Sequence, residues 1–95
     1  MDKQIKKQLM VIEQIAVDVE KAKDMLRKEE DNREKMLKIL AVADEDVLSK
    51  AELKTLNERL HEIESQMETY EEDIEMALDE YEEETADLKQ LLEKI

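Results

Sequence analysis

The chain is predicted to be all-α: a long antiparallel helical hairpin of coiled-coil type that dimerises into a four-helix bundle. Three observations predict this. Its 95 residues include no glycine and no proline, so the residues that most often interrupt helices are absent. Apolar residues recur at alternating three- and four-residue steps through both halves, the spacing of a helical seam. Charged residues make up 45% and aromatics 2% of the composition, which suits a narrow seam flanked by charge rather than a wide interior.

The first helix is expected over about residues 2–43. Its seam reads Ile5, Leu9, Ile12, Ala16, Val19, Lys23, Leu26, Glu30, Arg33, Leu37 and Leu40, eight of eleven apolar. The failures gather in the polar run Arg27 to Lys35. That run reads in two ways. It is either an exposed, ion-paired stretch of one continuous helix, or a bend at which Asp31 caps a new helix with Glu34 at the capping-box position. The bend would give a three-helix arrangement with a break near residue 31. With no glycine or proline to enforce it, continuity is preferred.

An acidic turn is expected at about 44–49 and a second helix over about 50–95. Ser49-Lys50-Ala51-Glu52 fits a capping box. Beyond it the seam is nearly unbroken: Leu53, Leu56, Leu60, Ile63, Met67, Tyr70, Ile74, Ala77, Tyr81, Glu84, Leu88, Leu91 and Ile95, with Glu84 the one polar member. A turn at 44–49 makes a single antiparallel register: Ile5 faces Leu88, Leu26 faces Met67, Ala16 faces Ala77 and Leu9 faces Glu84. A second apolar stripe on the first helix, Val11, Ile15, Ala22, Met25, Met36, Ile39 and Ala43, has no place in a lone hairpin. Val11, Ile15, Ala22, Met25, Met36 and Ile39 are therefore assigned to self-association.

Charge is distributed unevenly. Residues 1–40 carry ten basic and nine acidic side chains, residues 41–95 five basic and nineteen acidic, for a net charge of −13. Between Arg59 and Lys89 there is no lysine or arginine, while thirteen acids fall between Glu62 and Asp87. Such a field repels nucleic acid and anionic lipid and attracts basic surfaces, so no direct nucleic-acid or membrane partner is expected. Absence of cysteine removes disulfides and thiolate metal sites. Met1-Asp2-Lys3-Gln4 is not read as a signal peptide, and no apolar run approaches the roughly 20 residues of a membrane span. A cytoplasmic location is expected.

Constellations for chemistry are few, and neither an enzyme nor a cofactor is expected. Glu58-Arg59-Leu60-His61 has the Glu-x-x-His spacing of ferritin-like di-iron helices, but the seam passes through Leu60 and turns both ligands outward, so no metal site is assigned. His61 is the only histidine, and Ser49 and Ser65 have no imidazole the seam would orient. The acidic tip Asp44, Glu45 and Asp46 lacks the glycine and ligand spacing of a calcium loop. A coiled-coil finger with such a tip resembles the Gre-type and DksA-type factors that enter the RNA polymerase secondary channel. The resemblance implies tip acids acting on the active-site magnesium. It covers architecture and those three residues, and the second domain or zinc element of those families is absent.

The function expected first is non-enzymatic binding of a protein with a basic surface, through Glu64, Glu68, Glu71, Glu72, Glu75, Asp79, Glu82 and Glu83. Thirteen acids over about 26 helical residues average roughly one charge per 3 Å, against a phosphate every ~3.4 Å on a DNA strand. In composition and size the chain resembles small acidic phage proteins that block restriction or CRISPR nucleases, which implies a nucleic-acid-mimicking inhibitor. The alternatives are an assembly coiled coil working through its second apolar stripe, and the polymerase finger.

Overall fold

The computed structural model describes residues 2–43 and 47–95, which form two helices, α1 (Lys3–Val42) and α2 (Lys50–Glu93), packed against each other as a hairpin. Each is a single uninterrupted helix, 40 and 44 residues long. α1 runs without a break through the polar stretch 27–35, so the three-helix alternative does not hold. Nothing in that stretch lacks a backbone donor, and in-helix ion pairs, Arg27 to Asp24 (3.4 Å) and Lys38 to Glu34 (3.5 Å), tie its two ends to the neighbouring turns.

The ends are set locally. Asp2 caps α1, its carboxylate accepting from the Gln4 amide at 2.8 Å. Ser49 opens α2 with the expected reciprocal box: the Glu52 amide donates to Ser49 Oγ at 3.2 Å, and the Ser49 amide donates to Glu52 Oε1 at 3.3 Å. Ala43 leaves the helix in an extended conformation, its amide still bonded to the Ile39 carbonyl at 2.9 Å.

The result is a rod. Its extents are 73 × 15 × 15 Å and its radius of gyration is 21.1 Å, where a compact chain of this length would have about 12 Å. Two helices in contact cannot enclose a volume. Burial is accordingly limited, among the described residues, to Ile5, Ile15, Val19, Met36 and Ile63, and none of the five is wholly shut off from solvent.

The α2 seam is the expected one as far as Leu91; its last expected member, Ile95, lies beyond the helix and is 85% exposed. Leu53, Leu56, Leu60, Ile63, Met67, Tyr70, Ile74, Ala77, Glu84, Leu88 and Leu91 are buried or half-buried, and Tyr81 lies just outside at 37% exposure. The α1 seam differs. Its shared positions Ile5, Ile12, Val19, Leu26 and Leu40 face inward, but they alternate with Gln8, Ile15, Ala22, Glu29 and Met36. The expected companions Ala16, Lys23, Glu30 and Leu37 are exposed, and Leu9 is half-buried. Volume and charge explain the choice. This face buries Ile15 in place of Ala16 and Ala22 in place of Lys23, sparing a lysine from desolvation.

It also provides for Glu84. The Gln8 amide donates to the Glu84 carbonyl oxygen at 3.1 Å and to the Glu84 carboxylate, so the one acid of the α2 seam meets a donor instead of Leu9. Nearer the middle, Arg33 Nε pairs with Glu64 at 3.5 Å. The first contact lies one residue from the expected alignment and the second about one turn from it, within reach of a long side chain.

Candidate functional site

The outward face of α2 follows from its seam. With Met67, Ile74 and Ala77 turned toward α1, the back of the helix presents Glu68, Glu72, Glu75, Asp79 and Glu82, at alternating four- and three-residue steps. All five are exposed, as are Glu64, Glu71 and Glu83 beside them. The stripe from Glu68 to Glu82 is about 21 Å long, one carboxylate per roughly 5 Å. A DNA strand would place about six phosphates along that length.

Ion pairing is sparse along this stretch. Outside it four acids are matched within their own helix: Glu20 with Lys23 at 3.9 Å, Asp24 with Arg27, Glu34 with Lys38, and Glu58 with Lys54 at 4.0 Å. Of the eight acids expected to form the face, only Glu64 has an ion-pair partner among the described residues. Side chains at i and i+4 lie about 6 Å apart, inside the ~8 Å Debye length at physiological salt, so their fields add. The thirteen acids do not form one comb, however. Glu84 turns inward to Gln8, Glu64 is matched by Arg33, and Asp73, Glu80 and Asp87 project to one side of the stripe.

The stripe assigned to self-association is divided. Ile15 and Met36 are buried between the helices and Ala22 is half-buried there, so these three do not form a free surface. Their volume is what fills the α1 seam. Val11, Met25 and Ile39 remain exposed, at 36%, 47% and 44%. Sequence reasoning missed a second set of exposed apolar residues on α2, Leu78 (43%) and Leu92 (52%); their fourteen-residue separation, two full heptads, was the available signal.

Open clefts among the described residues include two along the hairpin. One, about 530 Å³, sits where polar Glu29 occupies a seam position; Asn32, Met36, Arg59, Ile63 and Gln66 also border it. The other, about 470 Å³, lies near the turn between Ile39, Leu48, Thr55 and Leu56. Neither carries a nucleophile–base pair. Glu58 and His61 are exposed, with Glu58 engaged by Lys54, and no group of three potential metal ligands occurs among the described residues. No helix among the described residues is long and apolar enough to cross a membrane. The acidic tip, Asp44, Glu45 and Asp46, lies outside the described residues. Comparison of the chain with protein-family models, curated proteins and solved structures finds no match.

Proposed function

We propose that this chain is a non-enzymatic, cytoplasmic, dimeric helical protein whose α2 back face docks on a basic protein surface built for nucleic acid, inhibiting its owner by occupying that surface. The observation that carries this reading is the run Glu68, Glu72, Glu75, Asp79 and Glu82, exposed along one face and without ion-pair partners among the described residues. A rigid helix holds these charges at fixed spacing, so little ordering entropy opposes docking, and the same field speeds encounter.

The test is capture from a host lysate by the full chain, repeated with a Glu72→Lys, Glu75→Lys, Asp79→Lys, Glu83→Lys variant and with double-stranded DNA as competitor. The partner should be lost in the variant, released by 0.5 M salt and displaced by DNA. Capture unchanged by salt and by DNA would refute the mimic. A second reading, an assembly coiled coil, is favoured by the apolar side chains left on the hairpin's flank. Under it the charge-reversed variant would keep its partner.

A further inference from the structure

We infer that a second copy of this chain covers one flank of the hairpin, the one formed by Leu9, Ala16 and Leu37 of α1 with Leu78 and Leu92 of α2. This deepens the dimeric part of the reading above and does not rest on the run Glu68, Glu72, Glu75, Asp79 and Glu82.

The heptad positions define two flanks. On α1, Leu9, Ala16, Lys23, Glu30 and Leu37 follow each other at seven-residue steps beside the seam; on α2, Glu64, Glu71, Leu78, Thr85 and Leu92 do the same. The Arg33–Glu64 ion pair puts these two rows on the same side of the hairpin. The opposite flank carries Val11, Met25 and Ile39 on α1, but its α2 row is Glu52, Arg59, Gln66, Asp73, Glu80 and Asp87, without an apolar member. Of the two flanks, only the first carries apolar members on both helices, which a self-complementary two-fold interface can use.

Area and charge select the occupant. The hairpin exposes 7644 Å², against about 5,700 Å² for a compact protein of its mass. A flank 73 by 15 Å in outline has room for the roughly 800 Å² per partner of a standard interface. α1 holds ten basic and eight acidic residues, a net of +2, and α2 four basic and sixteen acidic, a net of −12. A two-fold axis along the rod lays α1 of each copy over α2 of the other, attractive on both sides and antiparallel throughout. An axis across the rod would stack α2 on α2. The chosen arrangement sets Ala16 level with Leu78 of the second copy, and Leu9 between the levels of Leu78 and Leu92. Counting along the rod between Gln8–Glu84 and Arg33–Glu64 puts Lys23 level with Glu71 within one turn, so those residues pair across the interface.

Sedimentation equilibrium of the full chain, with helix content followed by circular dichroism, tests this. Wild type is expected to be a dimer, Leu78→Glu with Leu92→Glu to weaken it at least tenfold with helix retained, and Met25→Glu with Ile39→Glu to leave it dimeric. Lys23→Glu should weaken the dimer about threefold and Glu71→Lys in the same chain should restore it, a readout that survives if the leucine variant fails to fold. A dimer that persists in Leu78→Glu with Leu92→Glu, one that dissociates in Met25→Glu with Ile39→Glu, or a charge swap without rescue overturns the assignment of the flank and leaves dimerisation standing. Wild type monomeric at 100 µM overturns both the flank and dimerisation.

Discussion

Replacing Gln8 by leucine should destabilise the protein even though it makes the α1 seam more apolar. Gln8 is half-buried and donates to two oxygens of Glu84, one of them a carboxylate. Leucine would gain apolar contact worth about 1 kcal/mol at this partial burial. It would leave a half-buried carboxylate without its donor, losing a charge-assisted hydrogen bond worth about 1.5–3 kcal/mol. The net expectation is a loss of about 1 kcal/mol, or roughly 4–8 °C in Tm for a chain of this size. Glu84→Leu alone should be neutral or stabilising, because it removes a charge from an otherwise apolar row. The double variant should exceed wild type. Urea unfolding at fixed protein concentration, followed by circular dichroism and arranged as a double-mutant cycle, gives the coupling directly. A coupling below about 0.5 kcal/mol, or a Gln8→Leu variant more stable than wild type, would refute the role assigned to this pair.

Other perturbations separate interior from surface. Ile63→Ala, at one of the five buried positions, should cost about 2–4 kcal/mol in urea unfolding, while Met76→Ala, exposed at 70%, should change stability by less than about 0.5 kcal/mol. Ser49→Ala removes the side-chain half of the capping box and should cost about 1 kcal/mol, with amide exchange rising first at Glu52. Arg33→Ala breaks an ion pair whose side chains are 44% and 48% exposed, so a loss of no more than about 1 kcal/mol, shrinking with added salt, is expected from the same titration.

The second helix was legible in the sequence because its pattern has one solution. Leu53 to Leu91 form a single apolar row, and Ser49 and Glu52 mark its start. The first helix has two solutions sharing Ile5, Ile12, Val19, Leu26 and Leu40, and periodicity within one helix does not choose between Leu9–Ala16–Leu37 and Ile15–Ala22–Met36. The choice is made across the interface, where Glu84 requires a donor that Gln8 has and Leu9 lacks. Continuity through 27–35 was readable from the absence of breakers. Acid density on α2 was readable as well, but its distribution around the helix was not. Which carboxylates share the back face, and that Glu84 leaves it, depends on which residues face α1.

The account rests on an antiparallel hairpin whose alignment turns Glu68, Glu72, Glu75, Asp79 and Glu82 away from α1. The chain has no cysteine, so spin labels can be placed at will. Labels at Lys6 and Gln90, in protein diluted tenfold with unlabelled chain, should lie within about 25 Å of each other, roughly two helix diameters. Labels at Lys6 and Lys54 should be more than about 50 Å apart, from the helical rise between their levels. A long Lys6–Gln90 distance, or a short Lys6–Lys54 distance, would contradict the hairpin and the face it creates.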